Sequence, residues 1–323
     1  MTDGNTNNDT EALLALLHVP GVGNGTARTA LRAAQHLQCD MSALITMDPR
    51  ALLEALPPGD HQSLAQAIEH CTHQHYESAR RLIARCTKTG VTIITVEDEH
   101  YPAAIYDRLG DRAPVLLSMI GNASLLENPG IAVVGAREVS DTGRDLARTC
   151  GKEIAKVGRV LISGGANGVD DSGQRGAANT GGGIVVVLPQ GLLKFRGPPY
   201  IRDVLREQRA LLISACLPDA PWKNHAAVER NDIIAALAEA VCVIEPKKTG
   251  GSIRTARTAL EYGRHVLVQC TPDSEQGCTD LIRAGAEPMC VRGSLPEDWL
   301  TRLLASEQPG RPNQTSLPGM DET

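Results

Sequence analysis

The chain has 323 residues, 42% hydrophobic and 22% charged, enough to bury a core and to build about two domains, which excludes a wholly disordered protein. Its net charge of −6 excludes a uniformly basic nucleic-acid binder while leaving room for a local basic groove. One Phe, five Tyr and two Trp leave an aliphatic core and few rings for base stacking.

Residues 1–10 are polar and acidic and suggest a disordered leader with no apolar signal region. Residues 11–88 read as a helical domain. Leu13, Leu14, Leu16 and Leu17 form an apolar stripe on a first helix. The turn Val19-Pro20-Gly21-Val22-Gly23-Asn24-Gly25 leads into a second helix ending near Leu37, a helix-hairpin-helix pattern. Its glycines would let backbone amides approach a phosphate, but a plain helix–helix connection is the preferred reading. In His70-Cys71-Thr72-His73-Gln74-His75, the pairs His70/His73 and Cys71/His75 share helix faces; neither completes a four-ligand site, so a solvated face is preferred to a metal.

From Val91 short β-branched runs alternate with amphipathic segments. Strands are predicted at 91–96, 114–119, 130–135, 159–163, 184–188, 211–214, 240–245, 265–269 and 288–291. Helices are predicted at 141–157, 170–180, 224–238, 253–262 and 277–284. The alternation implies an α/β, Rossmann-like, doubly wound and mostly parallel sheet over 91–305. Residues 306–323 read as a flexible tail, in which Gln314-Thr315-Ser316-Leu317-Pro318 is only a chance-level match to a sliding-clamp peptide. The cysteines number nine, an odd count without CxxC spacing, which argues against a zinc ribbon or disulfide framework and fits free thiols in a cytoplasmic protein. With no apolar run of 18 residues, no membrane contact is expected.

Three strand-to-helix turns lie where open parallel sheets bind ligands. They are Gly135-Ala136-Arg137, Ser163-Gly164-Gly165-Ala166-Asn167-Gly168 and Thr249-Gly250-Gly251-Ser252. Each offers backbone amides at a helix N-terminus, and Arg137 adds a phosphate-matching fork. Tight β–α packing also demands glycine, but three such turns together favour an anion. Neither a dinucleotide fingerprint nor a Walker A motif is present, so no cofactor is expected. Lys194-Phe195-Arg196 leaves the same sheet edge and offers a ring between two cations, an extension of a single-strand groove unless Phe195 belongs to the core. Gly197-Pro198-Pro199 suggests a loop there. Asp170 and Asp171 read as helix-capping carboxylates rather than a catalytic pair; Glu245 and Glu261 lack a telling partner. No catalytic residue or metal set is expected.

The order of several motifs carries a resemblance. Tyr101-Pro102, Pro114-Val115-Leu116-Leu117, the strand 131–134 with Gly135-Ala136-Arg137, Ser140 and Gly143, and Ser163 to Asp170 come in sequence. Strand 184–188 with Gly191, Arg230-Asn231-Asp232-Ile233-Ile234-Ala235-Ala236-Leu237, Gly251-Ser252-Ile253-Arg254-Thr255-Ala256 and Gly263-Arg264 follow, then Gly277 with Leu281-Ile282 and Gly285-Ala286. Over residues 100–291 this resembles the DNA-processing protein DprA/Smf family, and the helical N-terminal part resembles that family's accessory domain. The resemblance adds Arg230 and Asn231 to the expected site. It implies a non-enzymatic mediator that binds and protects single-stranded DNA, usually dimerises, and helps load a RecA-type recombinase, as in natural transformation. The chain departs from the family at Gln174, where His is usual, at Ala227-Val228, where Phe-Pro is usual, and at Ala215, where Glu is usual. No winged-helix segment is expected after residue 305. The alternative is a nucleotide sensor or phosphoribohydrolase-like enzyme. For that enzyme class, Thr249-Gly250-Gly251-Ser252-Ile253-Arg254-Thr255 lacks the Pro, third Gly and Glu of the corresponding motif.

Overall fold

The computed structural model describes residues 3–271, 275–289, 296 and 298–305. Six helices come first: α1 Asp3–Leu17, α2 Asn24–Leu37, α3 Met41–Ile45, α4 Pro49–Ala55, α5 Gln62–His70 and α6 His73–Thr89. The first helix therefore includes residues 3–10, which composition alone assigns to a leader. Asp9 supplies one reason: its Oδ1 accepts from the Met41 backbone N at 2.8 Å and ties α1 to α3. Residues Ala12 to Leu16 are all fully buried.

The α/β part follows as β1 Thr92–Thr95, α7 Ala103–Leu109, β2 Leu116–Gly121, β3 Gly130–Gly135, α8 Asp141–Lys156, β4 Val160–Ser163, α9 Val169–Asn179 and β5 Ile184–Leu188. It continues with α10 Pro199–Arg206, β6 Ala210–Ser214, α11 Asn224–Leu237, β7 Ala238–Ile244, α12 Gly251–Glu261, β8 His265–Gln269, α13 Glu275–Arg283, β9 Glu287–Pro288 and α14 Trp299–Ala305. Three of these differ instructively from the sequence reading. Pro199 opens α10 rather than a loop, since the first helical position needs no N–H. β7 stops before Glu245, whose φ of 46° leaves the extended region. β9 covers two residues; the rest of predicted strand 288–291 reaches residues outside the described set, as does the tail 306–323 with its Gln314 to Pro318 segment.

The strands form one nine-stranded sheet in the order β1-β2-β6-β5-β4-β3-β7-β8-β9. The β1–β2 and β2–β6 pairs are antiparallel; every pair from β6 to β9 is parallel. Period-two alternation divides the side chains between two apolar layers. Ile131, Val133, Leu161, Val186 and Cys242 face α8, α9, α10 and α14, in a cluster that also runs into the N-terminal helices. Ala132, Val134, Ile162, Val187 and Val243 face α7, α11, α12 and α13. On the first layer α8 and α9 approach through glycine: a Cβ on Gly151 would stand 2.0 Å from the Gly173 carbonyl oxygen. That proximity sets two helix N-termini side by side at one end of the sheet.

The N-terminal helices are tied to this sheet by polar contacts. Asn24 Nδ2 donates to the Ala113 carbonyl at 3.1 Å, its Oδ1 accepts from Val115 N at 2.6 Å, and Arg28 donates to the same Ala113 oxygen. The glycine turn before α2 thus anchors a helix to the 113–115 segment. His75, one of the residues of the His/Cys stretch, caps α6 by accepting from Thr72 N at 3.0 Å. The thiols need one correction. Cys270, just past β8, and Cys278, in α13, form a disulfide with their Cα atoms 5.8 Å apart. Cys39, Cys71, Cys86, Cys150, Cys216 and Cys242 are free, and burial raises the thiol pKa of Cys71 and Cys86 to about 11.

Candidate nucleic-acid interface

Strand order reverses between β3 and β7: from β3 the chain winds outward through β4, β5 and β6, then returns through α11 to β7 on the other side. A crevice opens at such a reversal, outside the carboxyl ends of the strands. Here β3 delivers Gly135 and Arg137 to it, while β7 delivers Gly250, Gly251 and Ser252. Two local devices hold these turns. Ser140 Oγ caps α8 by accepting from Gly143 N at 3.0 Å, and Glu245 in turn accepts from Ser140 N at 3.0 Å and from its hydroxyl. Glu245 is therefore a brace between the β3 and β7 turns rather than a general acid. Gly168, at φ 85°, lets the second turn pass so close to the first that a Cβ would stand 2.4 Å from the Ala136 carbonyl oxygen. Val169 N donates to that carbonyl at 3.1 Å.

The crevice is a cavity of about 420 Å³ that holds Gly135, Arg137, Arg230, Asn231, Gly250, Gly251 and Ser252. Beside it lies a second cavity of about 340 Å³ that holds Gly164, Gly165, Asn167, Lys194, Phe195 and Arg196. Arg137, Ala166, Trp222 and Arg230 line both, so the three glycine turns and the 194–196 segment border one continuous depression. Two expected residues stay outside it. Ser163 is fully buried, its Oγ accepting from Gln174 Nε2 at 2.5 Å, and Gly168 serves the turn-to-turn contact.

The charge arrangement is uneven. Arg230 is only 9% exposed, its Nε is buried without a partner, and its side chain makes no hydrogen bond or ion pair with a described residue. Burial pulls its pKa down; the Asp170 charge works against that shift, and Arg137 adds to it. The guanidinium lies over Gly164, where a Cβ would meet Nη1 at 1.7 Å. Arg137 is exposed and likewise unpaired with any described side chain. Asp170 is 5% exposed, and burial raises its pKa against the opposing pull of Arg230 and two amides. Those amides are Gly164 N at 3.0 Å and Ala166 N at 3.3 Å, so the Asp170 carboxylate occupies two donors that the sequence reading leaves to a bound anion. Asp171 diverges, pairing with Arg175 at 2.7 Å and accepting from the Tyr200 hydroxyl at 3.2 Å. Gln174 Oε1 accepts from the same hydroxyl at 3.0 Å, which links the second turn to α10 through Ser163.

The 194–196 segment divides its roles. Leu192–Lys194 is a 3₁₀ turn. Lys194 is exposed and unpaired among the described residues; Arg196 Nη1 donates to the Phe195 carbonyl at 3.0 Å. Phe195 is half-buried, packs on the first apolar layer and still lines the second cavity. Sequence reasoning missed Trp222 and Lys247. Trp222 follows Pro221 just ahead of α11, and an aromatic in a loop leaving a strand's carboxyl end was the available signal. Lys247 pairs with Glu138 at 2.8 Å. Glu261 is exposed at the last position of α12, and Arg254 grips Asp232 through two hydrogen bonds at 2.9 and 2.7 Å. Among the described residues no group of three or more His, Cys, Asp or Glu side chains could hold a metal ion. No described helix is long and apolar enough to cross a membrane.

Comparison with known proteins agrees with this architecture. The family model for DNA recombination-mediator protein A matches residues 92–299. The DNA processing protein DprA of Bacillus subtilis is 30% identical over 259 residues, covering 77% of this chain and 84% of that protein. That of Streptococcus pneumoniae is 34% identical over 205 residues, covering 60% and 69%. The X-ray structure of the Streptococcus pneumoniae protein superposes with a TM-score of 0.68 at 24% identity, over 86% of this chain and 94% of that one, and shows a shared fold. A structure of DNA processing protein A from Helicobacter pylori, solved for its single-stranded DNA binding mode, superposes at 0.55 with 27% identity, over 66% and 96%. The match thus runs from the first strand to the start of the last described helix, and the chain belongs to the DNA recombination-mediator protein A, or DprA/Smf, family.

Proposed function

We propose that this chain binds single-stranded DNA along the carboxyl ends of β3, β4, β5 and β7, protects it, and helps load a RecA-type recombinase, without chemical turnover. The observation that carries the reading is Arg230: a buried guanidinium that makes no hydrogen bond or direct ion pair with a described residue, beside the exposed Arg137, on the wall common to two cavities. A buried cation without a hydrogen-bonded counter-charge is costly; Asp170 offsets that only in part and Arg137 adds positive charge, an excess that an anion relieves. Gly250-Gly251-Ser252 at the start of α12 and Lys194 across the depression extend the anion-favouring surface in two directions, which suits a chain of phosphates better than one. The DNA-binding relative supports the same choice. Family likeness supports a homodimer and a cytoplasmic setting.

Filter binding of a labelled single strand, challenged with excess mononucleotides, tests the reading. Retention that survives the challenge and falls linearly with log salt is expected. Displacement by stoichiometric mononucleotide would favour the nucleotide sensor instead. The mediator role is tested by adding the protein to a recombinase strand-exchange reaction on a strand coated with single-strand-binding protein; no gain in exchange would remove that role. Sedimentation that finds a monomer at all concentrations would remove the dimer.

A further inference from the structure

The Trp222 ring is in an unusual place for so large an apolar group. It is 45% exposed, it lies in the loop joining β6 to α11, and its indole N–H makes no hydrogen bond with a described residue. The other tryptophan, Trp299, is 4% exposed in the apolar layer under α14. Trp222 therefore adds little to the core, yet it borders both cavities together with Arg137 and Arg230. On one side lie Asn231 and the Gly250–Ser252 turn; on the other lie Lys194 and Phe195.

Resting on the single-strand reading above, we infer that Trp222 forms a nucleobase-stacking subsite that divides the groove in two. A phosphate held by Arg137 and Arg230 leaves an adjacent base within reach of the shared wall. An exposed ring with an unused face is what an unpaired base can stack on, whatever its identity. Phe195 supplies a second, half-buried ring in the 340 Å³ cavity, so successive bases would meet Trp222 and then Phe195. Bases in a duplex already have both faces covered, and the subsite therefore selects unpaired strands through contact with the bases rather than with the backbone.

Because Trp299 is buried, a change in tryptophan emission on titration with oligothymidylate reports Trp222. Quenching is expected with the wild-type protein and not with Trp222→Leu. Trp222→Leu should melt at the wild-type temperature, lose about tenfold in affinity and keep the salt slope, while Trp222→Tyr recovers most of the loss. An abasic strand of the same length should bind both proteins alike and leave the emission unchanged. Filter retention of oligothymidylate with unaltered emission, or equal binding by Trp222→Leu, would overturn the subsite while leaving single-strand binding intact. Failure of the wild-type protein to retain the strand at all overturns the underlying reading and the subsite with it.

Discussion

Arg137 and Arg230 show how two arginines of one site differ in what they cost. Arg137 is solvated and free, so it contributes to binding mainly as a charge. Arg137→Ala should weaken binding about equally for all sequences and lower the slope of log affinity against log salt by about one, as measured by filter binding at several salt concentrations. Unchanged affinity in a folded variant would remove Arg137 from the site. Arg230 is buried with its Nε unbonded, and Asp170 is the opposite charge that acts on it. Arg230→Met should weaken DNA binding and, because it removes a charge that offsets the burial of Asp170, lower the melting temperature near neutral pH. An unchanged melting temperature would mean that the Gly164 and Ala166 amides alone hold the Asp170 carboxylate. The direction of the Asp170 shift gives a check on sign. A carboxyl with a raised native pKa contributes stability that is present at low pH and lost as pH rises through that pKa. Removing Arg230 takes away a charge that favours the ionised form, so this loss should move to higher pH.

Elements, rather than single residues, decide how far the groove extends and how the N-terminal helices are held. The segment from the 3₁₀ turn to α10 presents Lys194, Phe195 and Arg196 to the second cavity. Phe195→Ala should lose affinity with little change in salt slope, whereas Lys194→Ala/Arg196→Ala should lose both. A Phe195→Ala protein that melts lower yet binds DNA normally would assign the ring to the core alone. At the other junction, Asn24 satisfies both Val115 N and the Ala113 carbonyl. Asn24→Ala leaves at least the Val115 amide unpaired, and a loss of about 1–3 kcal/mol in urea unfolding is expected. A negligible change would show that water replaces the asparagine and that the helices hold to the sheet by apolar contact.

Over the whole molecule, the same features that favour binding disfavour chemistry. The carboxylates near the depression are already engaged: Asp170 by two amides, Asp171 by Arg175, Glu245 by Ser140 and Asp232 by Arg254. Incubation with single-stranded DNA, ATP or nucleoside monophosphates should leave each intact by chromatography. Product that disappears on mutating Asp170 or Glu261 would overturn this and promote the enzyme alternative.

The parallel sheet was legible in the sequence because a strand buried on both faces must be apolar throughout and a crossover helix must show its own period; β3, β5 and β8 were located to the residue. The glycine turns were legible for a related reason, since close backbone approach excludes every larger side chain. Local pattern misread Asp170 and Asp171 as helix caps: α9 has no side-chain cap, Asp170 takes the Gly164 and Ala166 amides ahead of the helix, and Asp171 pairs with Arg175. Tertiary structure alone decided which of the donors in those turns remain open, because the Asp170 carboxylate folds back onto Gly164 and Ala166. It alone decided that Arg230 lies buried and unpaired, that Trp222 stands exposed where two cavities meet, and that Cys270 meets Cys278. The Arg230 and Trp222 environments depend on distances between segments that are separate along the chain, whereas the Cys270–Cys278 and Asp170–Gly164 contacts span eight and six residues and depend on how the local chain turns. A residue's type and neighbours in sequence state what it can bond to, whereas the packing of helices on the sheet determines which partner reaches it first.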